Sequence, residues 1–169
     1  EVWITNKRGN FSESRNLMAL MDVGENKRIC NNHWTGNYGV DNPTNESNNM
    51  LSELREQYPD ARYISQAATS LEPLKVYGFE GGRDYEKIES ARLLSNSEYT
   101  LNSTLGYIQL KTALASDEVL AVAFQYTYHG NTYQVGEFSG DITSTDQSLY
   151  VKMLKGTTTT TTVPMWDLM

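Results

Sequence analysis

Hydrophobic and polar residues alternate with a period of two at the start of the chain, the pattern of a half-buried β-strand. The first five residues, EVWIT, place Val2 and Ile4 on one face and Trp3 and Thr5 on the other. The segment RNLMALMDVG at 15–24 alternates again, although its many helix-forming residues leave a helix as the alternative. We predict a strand at each place.

The pattern changes between residues 25 and 71. Residues 25–49 are rich in Asn and Gly and contain Pro43, so we predict a long irregular segment. Two segments with helical spacing follow; Pro59 is predicted to end the first, and Asp60 to cap the second at 61–71. The apolar residues of the first are Met50, Leu51, Leu54 and Tyr58, and those of the second are Ile64, Ala67, Ala68 and Leu71.

Residues from 74 onward return to a period of two, in short segments separated by Gly, Asn, Ser and Asp. This density of short alternating segments favours a mainly antiparallel sheet. The predicted fold class is therefore α+β and β-rich, with two short helices inserted near residues 47–71. The predicted strands are LKVYGFE (74–80), DYEKIESARLL (84–94), EYTL (98–101), LGYIQLKT (105–112), EVLAVAFQYTYH (118–129), NTYQVGEF (131–138) and SLYVKML (148–154).

The segment 116–138 is predicted to be a hairpin with an unusually apolar first strand. One face of that strand is large and aromatic, and the other is small near its start and polar further on. This pattern favours a central strand covered on both sides near its start, so we expect the chain itself to shield the first three residues of the large face. The large face is formed by Leu120, Val122, Phe124, Tyr126 and Tyr128.

The turn of this hairpin is predicted at Gly130 and Asn131, which tolerate the positive φ angles of a tight turn. A lipid-facing barrel wall is disfavoured, because the neighbouring segments lack a continuous apolar outer row. The longest apolar run, VLAVAF at 119–124, is far shorter than the roughly 20 residues of a membrane-spanning helix.

We expect one soluble α+β module over residues 1–156, followed by a flexible Thr-rich linker at 157–163 and the start of a further element at 164–169. The linker prediction rests on six consecutive threonines, which have no apolar neighbours to pack against. Because the chain opens in a strand-like segment without a Met, we expect it to be an insert of a larger protein.

Composition narrows the possible partners. The formal net charge is −7, which disfavours binding to nucleic acid or to an anionic lipid surface. The single cysteine, Cys30, excludes an intrachain disulfide.

No motif in the sequence assembles a complete catalytic or metal site. Cys30 and His33 supply two of the four ligands of a structural zinc ion, and the other histidine, His129, lies in a predicted turn. A Cys-His nucleophile pair would also need an orienting group and an oxyanion donor, which the sequence does not identify. We therefore predict no metal, no cofactor and no catalytic residue.

Carboxylate pairs and oxygen-rich loops add little to this picture. The pairs Asp84 with Glu86 and Glu46 with Glu53 are predicted to be solvated rather than acid–base dyads, since 21 acidic residues offer many such pairs. The loops at 40–47 and 140–148 could hold calcium, but neither has the spacing of an EF-hand loop. Calcium binding stays open and without support.

Three aromatic residues, Trp3, Trp34 and Tyr38, fall outside the obvious core stripes. Trp34 and Tyr38 share the Gly- and Asn-rich loop and form the candidate binding platform. Aromatic side chains in such loops either stack on a ligand or anchor the loop, and the sequence leaves both roles open.

Long stretches of the chain closely resemble the SprA (also Sov) family. They are EVWITNKRGNFSESRNLMALMDVGE at the start, PMWDLM at the end and nearly all of residues 74–138. Members of this family are very large outer-membrane proteins of Bacteroidetes associated with gliding motility and type IX secretion. The family brings no catalytic residues to carry over.

The resemblance implies a giant β-barrel whose lumen conducts folded cargo proteins, with soluble insertions between the barrel strands. We therefore expect a non-catalytic soluble module of this translocon that shapes or caps the conduit. Its expected partners are other segments of the parent barrel, secretion-system proteins and cargo. It is expected at the outer membrane or cell surface, outside the cell rather than in the periplasm. The alternative is a carbohydrate- or protein-binding, adhesin-like module.

Overall fold

The computed structural model describes residues 1–7, 9 and 13–158. Nine strands, two α-helices and two 3₁₀ helices form within these residues, and the predicted α+β, β-rich, mainly antiparallel fold class is confirmed. The 3₁₀ helices are Pro59–Arg62 and Glu72–Tyr77. In chain order the other elements are β1 Val2–Ile4, β2 Ser14–Leu20, α1 Met50–Gln57, α2 Ile64–Ser70, β3 Tyr85–Leu93, β4 Tyr99–Asn102, β5 Tyr107–Leu110, β6 Leu120–Val122, β7 Phe124–Tyr128, β8 Asn131–Val135 and β9 Leu149–Lys155.

Five strands close into a small barrel in the order β1-β3-β2-β9-β6. The neighbours are antiparallel except β2 and β9, which run parallel with Leu17 opposite Leu149. Closure gives every barrel strand a neighbour on both sides, although β3 meets the short β1 only at Arg92 and Leu93.

The barrel interior is filled by alternate residues of its strands. Trp3 is only 1% exposed and is the largest of these side chains, and Ala19, Ala91 and Ala121 leave room for it. Small residues facing a large one suit an interior as narrow as that of five strands. The sequence placed Trp3 among exposed aromatics; that is wrong, because its face of β1 points into the barrel.

A helical layer covers one outer side of the barrel. The predicted pair of short helices near 47–71 is present as α1 and α2, whose Leu51, Leu54 and Ala67 join a core cluster with the outward-facing Met18 and Leu20 of β2. This cluster contains the apolar face predicted for the first helix, with Tyr58 at its margin. Of the face predicted for the second helix it contains Ala67 and Leu71, whereas Ala68 is exposed.

Two local predictions in this layer are wrong. Asp60 does not cap the second helix: it lies in the first 3₁₀ helix, and α2 begins at Ile64 after Tyr63, whose side chain makes no capping bond. The strand predicted at 74–80 is replaced by the second 3₁₀ helix, where Pro73 fixes a helical φ and Leu74 is buried.

The hairpin of β4 and β5 covers a second outer side of the barrel. Its Tyr99, Ile108 and Leu110 pack against a cluster that includes Ile4 and Val122. The predicted strands in this region, and those predicted around 84–94 and 148–154, are confirmed.

The hairpin of β7 and β8 leaves the barrel instead of filling it. The predicted strand 118–129 breaks at Ala123, so Leu120 and Val122 are buried in the barrel wall whereas Phe124 is 40% exposed. The expectation that the chain shields all three residues is therefore wrong for Phe124. Gly136, with a φ of +78°, permits the break, because a Cβ there would lie 3.2 Å from Ala123.

The turn of this hairpin is one residue earlier than predicted. His129 and Gly130 occupy it with φ values of +49° and +79°, and Asn131 already pairs with Tyr128 in the strand. Two consecutive positive φ angles are the mark of a type I′ turn, whose twist matches that of the flanking strands.

Of the predicted linker, only the beginning is described. The backbone and the hydroxyl group of Thr157 both donate hydrogen bonds to Glu86 Oε1. The rest of the linker, residues 159–163, and the further element predicted at 164–169 lie outside the described residues.

Candidate interaction surface

A buried ion-pair cluster holds the base of the β7–β8 hairpin. Glu137, just after β8, is 3% exposed; Oε1 accepts hydrogen bonds from Arg55 at 2.8 Å and Arg62 at 2.6 Å. Its Oε2 accepts from Arg62 and from the amide of Tyr150, each at 2.8 Å. The helical layer, β9 and the root of the hairpin therefore meet at one carboxylate.

Opposing effects set the pKa of Glu137. Burial by itself would raise it, but the hydrogen bonds and charge of Arg62, with the bonds from Tyr150 and Arg55, bring it below its ordinary value. Arg62 also lies 4.2 Å above the Tyr150 ring, and burial raises the pKa of Tyr150 to about 12. This arrangement keeps Glu137 charged and Tyr150 neutral at physiological pH.

Two further carboxylates, Asp22 and Asp84, are fully buried. Asp22 accepts hydrogen bonds from the amides of Cys30 and Asn31, although burial raises its pKa. Asp84 accepts from the Arg83 guanidinium at 2.8 Å, so the prediction that it is solvated is wrong. By accepting hydrogen bonds from backbone amides, the two carboxylates fix the position of the chain between β2 and the helical layer.

The structure gives Cys30 and His33 separate surroundings. His33 Nε2 lies 2.6 Å from Glu53 Oε1, whereas Cys30 packs against the barrel cluster. Burial, followed by the charges of Asp22 and Asp84, raises the pKa of Cys30, which makes its thiol a poor nucleophile at neutral pH. Within the part of the chain that the structure describes, no three His, Cys, Asp or Glu side chains cluster as metal ligands.

Carbonyl oxygens in and beside the loop at 140–148 already accept hydrogen bonds from a positively charged side chain of the same chain, Arg15. The Arg15 guanidinium donates to the carbonyls of Ser139, Ile142 and Ser144 at 2.8–3.1 Å. In the loop at 40–47, Glu46 accepts from the Thr44 hydroxyl, so it does not pair with Glu53 as an acid–base dyad would. Both loops use their oxygens for internal bonds.

The two residues of the predicted platform differ strongly in their exposure to solvent. Trp34 is 3% exposed and packs edge-on against Phe79, with ring centroids 5.4 Å apart. Tyr38 is 89% exposed. Of the two roles left open, loop anchoring therefore describes Trp34, while a binding role for Tyr38 stays a prediction.

The β7–β8 hairpin, here called the ribbon (residues 124–135), exposes an aromatic face that includes Phe124, which the sequence analysis expected to be shielded. Tyr126 and Tyr133 are cross-strand partners with centroids 5.3 Å apart, and Phe124 lies 6.1 Å from Tyr126. Phe124 and Tyr128 are 40% and 51% exposed. The signal that could have revealed this surface is the absence of Asp, Glu, Lys and Arg from residues 124–136.

The two edges of the ribbon differ. Residues 43–45 run along β8: the amide of Asn45 donates to the Gln134 carbonyl at 2.8 Å, and Tyr126 Oη donates to the Pro43 carbonyl at 2.7 Å. Within the described residues, β7 pairs with β8 alone. Gln125 and Thr127 of β7 are exposed, and no backbone hydrogen bond from another described segment reaches either residue.

A small cleft of about 110 Å³ lies between β1 and the segment after β5. Its charged lining residues have partners: Arg92 bonds to Glu98 at 2.8 Å, and Lys7 bonds to Asp117 outside the lining at 2.5 Å. The remaining one, Glu118, accepts a hydrogen bond from the amide of Ala115.

Comparison with known proteins leaves the family open: no protein-family model matches the chain, and no curated protein matches it. Among the described helices, none combines the length and apolar character needed to cross a membrane.

Proposed function

We propose that this chain is a non-catalytic, soluble module of an outer-membrane protein translocon of the type IX secretion system. In this role it serves protein secretion and gliding motility by shaping or capping the conduit. The proposal begins from the sequence resemblance to the SprA family at residues 1–25, 74–138 and 164–169.

One structural observation carries the proposal further: two hairpins expose apolar side chains outside a barrel that is already closed and filled. Phe124 and Tyr128 are exposed on the ribbon, and Leu101 and Leu105 are 61% and 72% exposed on the β4–β5 hairpin. Because the barrel needs neither set for its own core, both are free to contact neighbouring segments, secretion partners or cargo.

A test in cells compares secretion with and without the aromatic face. In the parent protein, Phe124→Ser, Tyr126→Ser and Tyr128→Ser are combined, and secreted cargo and gliding are measured. Val76→Ser is the control, since it removes an 80% exposed side chain outside both hairpins. We expect the triple variant to reduce secretion and the control to leave it intact; normal secretion at normal protein levels would reject the proposal.

The expected position at the cell surface has its own test. A protease-cleavable tag is inserted at the start of the Thr run, after Thr157, and intact cells are treated with protease. Cleavage supports exposure outside the cell, whereas cleavage only after the outer membrane is permeabilised would place the module in the periplasm.

The second candidate function, a carbohydrate-binding surface module, is favoured by one observation: Tyr38 is 89% exposed. A glycan array with the purified chain and Tyr38→Ala tests it. Trp34→Ala does not serve here, because removing a buried Trp costs about 3–5 kcal/mol and would confuse binding with unfolding. Sub-millimolar glycan binding that is lost in Tyr38→Ala would favour this alternative.

A further inference from the structure

The hydrogen-bonding pattern of the ribbon follows from its turn. In a two-residue hairpin the residues that flank the turn form a hydrogen-bonded pair, and such pairs alternate with non-bonded pairs along the strands. The hydrogen-bonded pairs of the ribbon are therefore Tyr128 with Asn131, Tyr126 with Tyr133 and Phe124 with Val135. The backbone N–H and C=O groups of these residues point toward the other strand of the ribbon.

The remaining residues of the ribbon direct their backbone groups outward. On β8 these are Thr132 and Gln134, and the Gln134 carbonyl accepts from Asn45 as this pattern requires. On β7 they are Gln125 and Thr127, whose amides and carbonyls face solvent. Asn45 thus covers the outer edge of β8 at Gln134, whereas no described residue pairs with the outer edge of β7.

The open edge lacks the features by which proteins usually prevent strand addition. Such edges carry Lys or other charges, Pro, a bulge, or a covering loop. Residues 124–136 contain neither Pro nor a charged side chain of Asp, Glu, Lys or Arg, and the pairing of β7 with β8 is regular over five residue pairs.

We propose that the outer edge of β7 binds an extended, uncharged polypeptide segment as an added β-strand. The backbone groups of Gln125 and Thr127 pair with the segment, and Phe124 and Tyr128 contact its alternate side chains. We specify an uncharged segment because residues 124–136 contain no Asp, Glu, Lys or Arg that could form an ion pair with it. This inference rests on the proposed function, since it names the chemistry of the partner that the module contacts.

Thr127 and Thr132 provide a matched pair of variants. They are cross-strand partners of the same residue type, and both are exposed with outward backbone groups on opposite edges. Proline is tolerated at such positions and removes one outward amide. Thr127→Pro therefore removes a donor from the open edge, and Thr132→Pro removes its equivalent from the other.

The probe is an array of uncharged ten-residue peptides that alternate Val, Ile or Tyr with Thr, Gln or Asn. The same peptides carrying N-methyl groups at every second residue, in both registers, test the need for backbone hydrogen bonds. Binding of the purified chain is measured for the wild type and both proline variants. Circular dichroism and tryptophan fluorescence, to which the buried Trp3 and Trp34 contribute, confirm that each variant is folded.

We expect wild-type chain to bind a subset of the peptides and to lose binding when one N-methyl register blocks pairing. Thr127→Pro should weaken binding about tenfold, the effect of losing about one net hydrogen bond, and Thr132→Pro should change it less than about twofold. Thr127→Ala, which keeps the amide, should retain binding.

Several results would overturn the inference: no peptide binds, N-methylation has no effect in either register, or the two proline variants weaken binding equally. Self-association of the chain that Thr127→Pro abolishes, without peptide binding, would assign the edge to a second copy instead. Peptide binding together with normal secretion in the triple serine variant would reject the proposed function alone. A secretion defect without peptide binding would reject this inference alone.

Discussion

The two hairpins outside the barrel have similar sequences, but one packs against the barrel and the other extends into solvent. Both are two-stranded, and neither residues 99–110 nor residues 124–136 contain Asp, Glu, Lys or Arg. The β4–β5 hairpin presses Tyr99, Ile108 and Leu110 onto the barrel, whereas the ribbon directs Phe124 and Tyr128 to solvent. Apolar alternation alone therefore does not determine whether a hairpin packs; the support at its base decides the direction in which it points.

The ribbon is held by polar contacts at its root. Glu137 joins it to Arg55 and Arg62 of the helical layer and to the amide of Tyr150, while Asn45 bonds to Gln134 and Gly136. The β4–β5 hairpin also has an ion pair at its root, between Arg92 and Glu98, but in addition it buries apolar side chains against the barrel. The following predictions separate these two modes of support, from the largest expected effect to the smallest.

The largest effect is expected for Glu137→Gln at the root of the ribbon. Removing the carboxylate leaves Arg62 largely buried without its charge partner, which should lower the free energy of unfolding by about 3–5 kcal/mol. Urea denaturation measures this loss. Glu72→Gln, which breaks the exposed pair with Lys75, is the control and should cost less than about 1 kcal/mol. Equal losses would show that the root cluster does not support the ribbon.

A second prediction concerns pH. Because the folded-state pKa of Glu137 is depressed, its stabilising contribution is present above the unfolded value of 4.5 and is lost as pH falls through the folded-state pKa. The stability difference between wild type and Glu137→Gln should therefore narrow as pH is lowered from 7 to 3. Denaturation curves across this range provide the measurement, and a difference independent of pH would contradict the charged state assigned to Glu137.

The third prediction compares the two hairpins directly. Ile108→Ala removes a partly buried side chain from the barrel contact and should cost about 1–2 kcal/mol, below the range for fully buried residues. Phe124→Ala on the ribbon should cost less than about 1 kcal/mol. The midpoints of urea denaturation compare the two. A larger loss for Phe124→Ala would mean that the ribbon contributes to the core.

The smallest effect is expected at the turn of the ribbon. His129 has a φ of +49°, and Asn adopts this region more easily, so His129→Asn should stabilise the ribbon by up to about 0.5 kcal/mol. Amide exchange of β7 and β8 should slow while that of the barrel strands stays unchanged. Faster exchange in the ribbon would argue against a type I′ turn.

The sequence predicted the elements with strong periodicity and missed features that depend on distant contacts. The alternation in DYEKIESARLL and SLYVKML predicted β3 and β9, and the helical spacing around Leu51 and Leu54 predicted α1. Local pattern does not indicate that β2 and β9 pair in parallel or that five strands close into a barrel, because both depend on contacts between remote segments.

The aromatic residues show the same limit for the candidate surface. Trp3 and Trp34 are buried because a barrel interior and a helical layer surround them, and nothing in their immediate neighbours specifies either. Phe124 continues the alternation of Leu120 and Val122, yet the break at Ala123 carries it out of the barrel. Gly136 was the available signal for that break, since a Gly inside a strand-like segment often marks a close backbone approach.

Barrel closure also has a consequence for how the chain folds. Thr5 and Val119, 114 positions apart, bond to each other beside the β1–β6 pair, and β9 supplies the last strand from near the end of the described chain. Such a high contact order predicts slow, cooperative folding, since the loop-closure entropy is lost before the long-range pairs form. During synthesis the Trp3 side chain must therefore stay outside a closed barrel until residue 155 has emerged. Its burial would then accompany the last step of folding, in which β9 completes the barrel.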